Sequence, residues 1–314
     1  MSKSLTDWFT RAARHIDPTD FLRLNPLEAV RTLWRFQKDR RGERLPEDDP
    51  GVRDPEFVGV LLDICRALGT YYLRYQVRGI DNVPAEGPAL LVGSHNGGIV
   101  TLDSLLTLVA VWDRFGPARA VHPLAHDILF SNELTRKYAR RLGVLRAGHE
   151  GARRAFALGQ TALVYPGSEI DSFRPFSQRG RIELAGRKGF LRLALRSGVP
   201  IIPVVSVGTH EQFVVLSRGD ALVELLGLKR HLRIAAFPLV LALPWGLTSG
   251  YFPYLPLPAQ TTVAFGPALR WPHLRPEHAD DEAVLERCYQ EVVGAMQVQL
   301  DELMVDRVPI LGKR

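Results

Sequence analysis

Cysteine is scarce. Only Cys65 and Cys288 occur, far apart in a chain of 314 residues. They offer neither a disulfide framework nor a metal-ligand spacing, and a reducing cytosolic face is the simplest setting. Long continuous hydrophobic runs are missing as well. The best candidate, the uncharged stretch 234–269, is broken by Pro238, Pro244, Pro253, Pro256, Pro258 and Pro267, and proline cannot continue a helix. Its apolar part, Ile234–Leu247, is short for a membrane span and suits a buried or interface-dipping segment. The sequence after Met1 lacks the apolar core and small-residue cleavage site of a signal peptide, so none is expected.

Several chemical signatures are absent too. There is no Gly-x-Ser-x-Gly elbow for a serine hydrolase and no Gly-rich Lys-Ser/Thr loop for nucleotide hydrolysis. No recognition-helix or zinc signature points to nucleic acid, and none is expected as a partner. His122 and His126 flank Pro123 without an evident third ligand, so no metal is expected.

The residues that are present describe a globular protein. Hydrophobic residues make up 46% and charged residues 24%, enough for a sizeable core. The net charge of +6 favours anionic partners, be they phospholipid surfaces, phosphate-bearing substrates or nucleic acid. Leu5, Trp8, Phe9, Ala12 and Ile16 recur at helical spacing beside Lys3, Arg11 and Arg14, as in a short amphipathic helix. It could anchor in a membrane interface or pack on the main domain. Asn25–Pro26 opens a second helix to about residue 38. Residues 39–56 read as a linker or surface loop, and Phe57–Leu68 as an apolar helix that packs on the core or touches lipid. Residues 1–70 are therefore read as an N-terminal helical, membrane-associating region and linker, and 71–314 as the main domain.

From Tyr71 onward strands alternate with helices. Expected strands are Leu73–Val77, Ala89–Ser94, Arg119–His122, Ala162–Tyr165, Ile201–Val205 and Thr262–Phe265. Expected helices lie near 102–113, 131–141, 149–158, 187–197 and 279–304. This alternation predicts an α/β fold with a largely parallel central sheet flanked by helices.

The run from Ala89 to Asp103, Ala-Leu-Leu-Val-Gly-Ser-His-Asn-Gly-Gly-Ile-Val-Thr-Leu-Asp, is the most informative. A buried strand ends in Ser94-His95, where ligand sites of open α/β sheets gather. Gly97 and Gly98 allow the chain to fold back so that Asp103 meets His95. Thr101 is placed to cap the following helix. A neutral imidazole accepts a proton from a hydroxyl, and a carboxylate on its other nitrogen fixes the tautomer. The plainer reading is a His that satisfies backbone groups at a turn.

His followed by Asp at a strand end resembles the glycerolipid acyltransferases. The usual spacing is four intervening residues. Here there are seven, and Val100 stands where the carboxylate would normally be. Further blocks resemble the family in matching order over about residues 73–270: Gly143-Val-Leu-Arg146, Tyr165-Pro-Gly-Ser-Glu169, Gly186-Arg-Lys-Gly-Phe190, Val199-Pro-Ile-Ile-Pro203 and the stretch from Leu255 to Pro267. The likeness is nearest to the branch containing monoacylglycerol and diacylglycerol acyltransferases.

The resemblance implies that His95 is a general base and Asp103 its partner. It implies that Arg146 holds the acceptor's head group, and that Pro166, Gly167, Ser168 and Glu169 form the acceptor-binding block. Arg187 and Lys188 would meet a phosphate of the acyl donor or of a lipid. A phosphate-binding Arg is absent from the Pro-Gly-Ser-Glu block, and Arg174, Arg179 and Arg181 are the candidates to stand in for it. The co-substrate would be acyl-coenzyme A or an acylated acyl carrier protein, with no further cofactor. The partners would be that carrier and membrane lipids, met at the cytoplasmic face of a membrane by a peripheral protein.

Overall fold

A computed structural model describes residues 49–98, 101–225, 237–252 and 254–313, without the side chains of Ile128, Glu169, Leu222 and Leu225. The amphipathic segment at 5–16 and the helix expected from 25 to 38 lie outside the described residues.

The first described helix, α1 (Pro55–Ala67), starts at Asp54, whose carboxylate accepts from the Glu56 and Phe57 amides. Proline at the first helical position needs no donor there. Residues Leu68–Tyr72 continue as a π-helical turn, so strand β1 (Gln76–Arg78) begins later than expected. Strand β2 (Leu90–Gly93) follows, then α2 (Leu102–Phe115), β3 (Val121–Ala125) and α3 (Glu133–Leu142). The next elements are β4 (Leu145–Arg146), α4 (His149–Ala157), β5 (Thr161–Val164), the short α5 (Ser168–Ser172) and α6 (Gly189–Ser197). Strand β6 (Ile201–Val207), α7 (Thr209–Gln212), β7 (Val214–Ser217), α8 (Asp220–Leu225), β8 (Leu239–Ala242) and β9 (Gly246–Ser249) come next. The chain closes with β10 (Thr262–Phe265), the long α9 (Glu282–Met304), β11 (Arg307–Val308) and β12 (Gly312–Lys313).

Seven strands form the central sheet in the order β1-β10-β6-β2-β5-β3-β4. From β6 to β4 every pairing is parallel, and β10 runs antiparallel to β6. The fold is the largely parallel α/β sheet that the alternation predicts. All residues of β2, β6 and β10 are buried, as parallel strands covered on both faces must be. Side chains of β2 alternate between two cores. Leu90 and Val92 join Leu191, Ala194 and the α9 stripe of Val292, Met296 and Leu300. Leu91 joins Val58, Leu62 and Cys65 of α1 with Leu106, Val109 and Trp112 of α2. Thus α1 packs on the core.

The uncharged, proline-broken stretch is not one buried segment. Where described, it contains two strands of a separate antiparallel sheet, β7-β8-β9. Proline excluded a helix there but not a ribbon with prolines outside its strands. The β11–β12 ribbon is latched to α7, which follows β6. The Arg307 guanidinium forks onto Glu211 at 2.9 and 2.8 Å, both side chains being buried. The Ile310 amide donates to Glu211 at 2.6 Å, and the Gln260 amide to the Ile310 carbonyl at 2.9 Å.

Candidate active site

Strand β2 delivers His95 to the carboxyl edge of the sheet, between β5 and β6. The last residue of the strand, Gly93, is glycine because the Tyr165 ring occupies the space of a side chain: a Cβ there would meet it at 2.3 Å. Gly97 and Gly98 follow with φ of 85° and 72°, values that favour glycine. A Cβ on Gly98 would meet the Phe213 ring at 2.5 Å. The chain then returns to place Asp103 in the first turn of α2, fully buried. Thr101 makes no side-chain cap; it adopts φ 48°, which puts it outside ordinary N-cap geometry. The Ser104 amide donates instead to Asp103 Oδ1 at 2.7 Å.

His95 Nδ1 lies 2.9 Å from Asp103 Oδ2. The same oxygen accepts the Asn96 amide at 2.8 Å, so the carboxylate is fixed from three sides. A carboxylate only accepts, so Nδ1 carries the hydrogen and Nε2 keeps its lone pair. The imidazole stacks on Tyr165, centroids 4.0 Å apart and planes 12° from parallel. Tyr165 Oη sits 3.0 Å from Thr107 Oγ1. Burial would lower the His95 pKa, but the charge and hydrogen bond of Asp103, with the charge of Asp171, outweigh it and hold it above 6.5. The arrangement can accept a proton at Nε2 and stabilise the imidazolium that results.

A second carboxylate supports the loop from below. Asp171 accepts the His95 backbone N–H and the Ser94 hydroxyl, and pairs with Arg174. Arg174 also donates to Asn96 Oδ1 and to His210 Nε2, each at 3.0 Å. Asn96 in turn donates to Ser206 Oγ at 2.9 Å. Burial pushes the Asp171 carboxyl up to about 7 against the opposing pull of Arg174, His95 and its two hydrogen bonds. Arg174, weighed above as a phosphate ligand, is 3% exposed and committed to this network. Neither Asp171 nor His210 stood out in the sequence. The available signal was Asp171-Ser-Phe-Arg174, one residue after the Pro-Gly-Ser-Glu block, a carboxylate and a guanidinium one helical turn apart.

That block leads out of β5 beside β2, and Pro166 and Gly167 are buried. A Cβ on Gly167 would lie 2.3 Å from Asp171 Cβ, so glycine lets Asp171 approach. Ser168 adopts φ 53°, a costly conformation for a non-glycine residue and one that clusters at functional turns. The Glu169 side chain is outside the described set. Arg187 donates to the Pro166 carbonyl at 3.2 Å and so belongs to the same wall. Lys188 bridges Glu286 at 2.7 Å and Glu282 at 3.3 Å on α9, tying the start of α6 to that helix. Arg146 closes β4 on the same sheet edge, three strands from β2, a separation of about 14 Å at strand spacing. His122 bonds the Gly143 carbonyl and Gln160 at 2.8 and 2.9 Å.

Among the described residues no three His, Cys, Asp or Glu side chains cluster as metal ligands. No described helix is long and apolar enough to cross a membrane.

Residues 74–207 match the family model described as Acyltransferase, a span that holds His95, Asp103 and the Pro-Gly-Ser-Glu block. An uncharacterised protein of Mycobacterium tuberculosis is 31% identical over 299 residues, covering 95% of this chain and 79% of its own. A diacylglycerol O-acyltransferase 1 of Saccharomyces cerevisiae is 26% identical over 140 residues, 43% of this chain and 34% of that one. The crystal structure of the 1-acyl-sn-glycerophosphate (LPA) acyltransferase PlsC from Thermotoga maritima aligns with a TM-score of 0.46 at 16% identity, over 88% of this chain and 90% of that one. The chain belongs to the acyltransferase family, within the glycerolipid acyltransferase superfamily that its motifs resemble.

Proposed function

We propose that this protein transfers a fatty acyl group from an acyl thioester, acyl-coenzyme A or an acylated carrier protein, to a hydroxyl of a lysophospholipid or partial glyceride. The observation that carries the reading is the His95–Asp103 pair at the carboxyl end of β2, with Nδ1 held at 2.9 Å and Nε2 left to face an acceptor. Nε2 takes the hydroxyl proton as the oxygen bonds to the thioester carbon. The carbonyl becomes a tetrahedral oxyanion. Its collapse breaks the carbon–sulfur bond, and the imidazolium returns the proton to the departing thiolate. Asp103 stabilises the transient positive charge. No acyl-enzyme is needed.

Pro166, Gly167 and Ser168, next to the stacked Tyr165, form the wall against which the acceptor would lie, with Arg187 behind it. Arg146, further along the edge, is placed for the distant charge of a long substrate. The buried commitment of Arg174 favours a neutral glyceride or a lysolipid gripped elsewhere over one whose phosphate sits at the Pro-Gly-Ser-Glu turn. Work on such lipids places the protein peripherally on a membrane, at its cytoplasmic face.

The test is to supply labelled acyl-coenzyme A with lysophosphatidate, lysophospholipids, monoacylglycerol and diacylglycerol in parallel, and to identify products by mass spectrometry. One acceptor is expected to be acylated, and His95→Ala to lose that activity. Undiminished transfer by a folded His95→Ala would remove the general base. Release of free fatty acid without an acceptor product would indicate a hydrolase.

A further inference from the structure

Strand β5 ends against the face of His95. Tyr165, the residue after that strand, lays its ring on the imidazole with centroids 4.0 Å apart and planes 12° from parallel. Three features fix it there. Gly93 leaves the ring its space, because a Cβ at that position would meet Tyr165 Cε1 at 2.3 Å. The ring packs against the core that α1 and α2 share. Its hydroxyl is anchored too, with Thr107 Oγ1 at 3.0 Å. Thr107 gives its single hydroxyl hydrogen to the Asp103 carbonyl at 2.8 Å, so in the pair with Tyr165 the phenol donates and Thr107 accepts. Burial raises the phenol pKa well above its ordinary value of 10, and the donor hydrogen stays in place.

These contacts close a circuit. His95 Nδ1 meets the Asp103 carboxylate at 2.9 Å, the Asp103 carbonyl receives Thr107, Thr107 receives Tyr165, and the Tyr165 ring returns to His95. Asp103 therefore holds one edge of the imidazole and Tyr165 one face. An aromatic face carries the negative part of the ring quadrupole. A cation centred over it within about 6 Å is attracted, most strongly where water is excluded. A neutral imidazole gains little from that field and an imidazolium gains much more. An interaction that favours the charged form accelerates a step that creates the charge. The other polar groups around His95 already have tasks. Asp171 takes the His95 backbone N–H and pairs with Arg174, Arg174 donates to His210, and the Tyr254 hydroxyl donates to the Gly97 carbonyl.

We propose that Tyr165 is a positioning residue of the acyl transfer, holding the imidazole by its face and stabilising through its π-system the imidazolium that His95 becomes in the transition state. This deepens the general-base reading of His95 and rests on it.

The experiment uses the full chain with Tyr165→Leu, Tyr165→Phe, and a series in which mono-, di- and trifluorinated phenylalanine replace Tyr165 by codon suppression. Fluorine drains the π face and leaves the ring nearly the same size, so the series separates electrostatics from shape. His95 is titrated by NMR without substrate in protein labelled at the histidine rings, its signal being the one that His95→Ala removes. Tyr165→Leu is expected to lower the His95 pKa by about one unit and kcat by about tenfold, with KM for the acceptor little altered. Tyr165→Phe is expected to recover most of both losses, and each added fluorine to lower pKa and kcat in steps. A fluorinated series with a flat His95 pKa would overturn the proposal, because a ring that only fills space is indifferent to its π density. So would a His95 pKa that rises in folded Tyr165→Leu. The fluorinated series decides the matter if the leucine variant does not fold. Wild-type protein that transfers no acyl group to any acceptor would count against the enzymatic reading, whereas the titration needs no turnover and reports on the ring alone.

Discussion

Replacing Asp103 by Asn tests the centre of the mechanism with little change of shape. In the native site Oδ2 receives His95 Nδ1 and the Asn96 amide, while Oδ1 receives the Ser104 amide. An amide has only one oxygen, so at least one of these donors must face an N–H. The smallest conflict keeps the oxygen toward His95 and Asn96, which preserves the ring's place but removes the negative charge. Unit charges about 4 Å apart at an effective dielectric near 20 interact by about 4 kcal/mol. Tenfold in rate corresponds to about 1.4 kcal/mol, so kcat should fall by roughly 10³ with KM little altered. The pH profile gives an independent sign. In wild type the raised His95 pKa means that the base is lost as pH falls through a value above 6.5. Without Asp103, burial, the largest influence, is opposed among charged groups only by Asp171, and the acidic limb moves to lower pH. Steady-state acyl transfer from about pH 5 to 9 covers the titration range of the imidazole. A folded Asp103→Asn enzyme with kcat within about tenfold of wild type and an unmoved acidic limb would refute the argument.

Other consequences can be checked by stability and rate together. Asp171→Ala leaves the Arg174 guanidinium buried without its carboxylate and is expected to cost about 3–5 kcal/mol in denaturant unfolding, with kcat reduced because the His95 amide loses its acceptor. Gly98→Val adds a Cβ 2.5 Å from the Phe213 ring at a φ of 72°. It should cost about 1–3 kcal/mol and lower kcat by displacing the loop, whereas Gly159→Ala, with φ 71° but open space, should leave kcat unchanged. Lys188→Ala breaks the bridge to Glu282 and Glu286, so its main effect should be on the docking of α6 against α9. An unchanged KM for the acyl donor would agree with that, and a large rise in KM would place Lys188 in substrate binding.

What could be read from the sequence follows from how local each signal is. The strands of the central sheet are short apolar runs with Gly or Pro beside them, and their order with the helices sufficed for the parallel layer. The His95–Asp103 pairing was legible because both partners sit in one strand–loop–helix unit, with two glycines between them to turn the chain. The support below His95 was not, because Asp171, Arg174 and His210 reach it from more than seventy residues away, and no local pattern records that approach. Lys188 shows tertiary packing adding what a local pattern lacks: a Lys at a helix start beside a family motif suggests phosphate, and α9 brings two carboxylates to the same ammonium. The β7-β8-β9 sheet was hidden by its prolines, which argued against one long element and concealed two short ones.

The latch between Arg307 and Glu211 bears on when the site becomes complete during synthesis. Glu211 adjoins His210, which receives Arg174, which steadies the loop of His95. Both charges of the latch are buried, so before the ribosome has made Arg307 the carboxylate of Glu211 has no cation beside it and stays hydrated. The loop that carries His95 is therefore braced from the far end of the chain, and nascent chains halted before residue 307 should hold the central strands yet leave that loop unsettled.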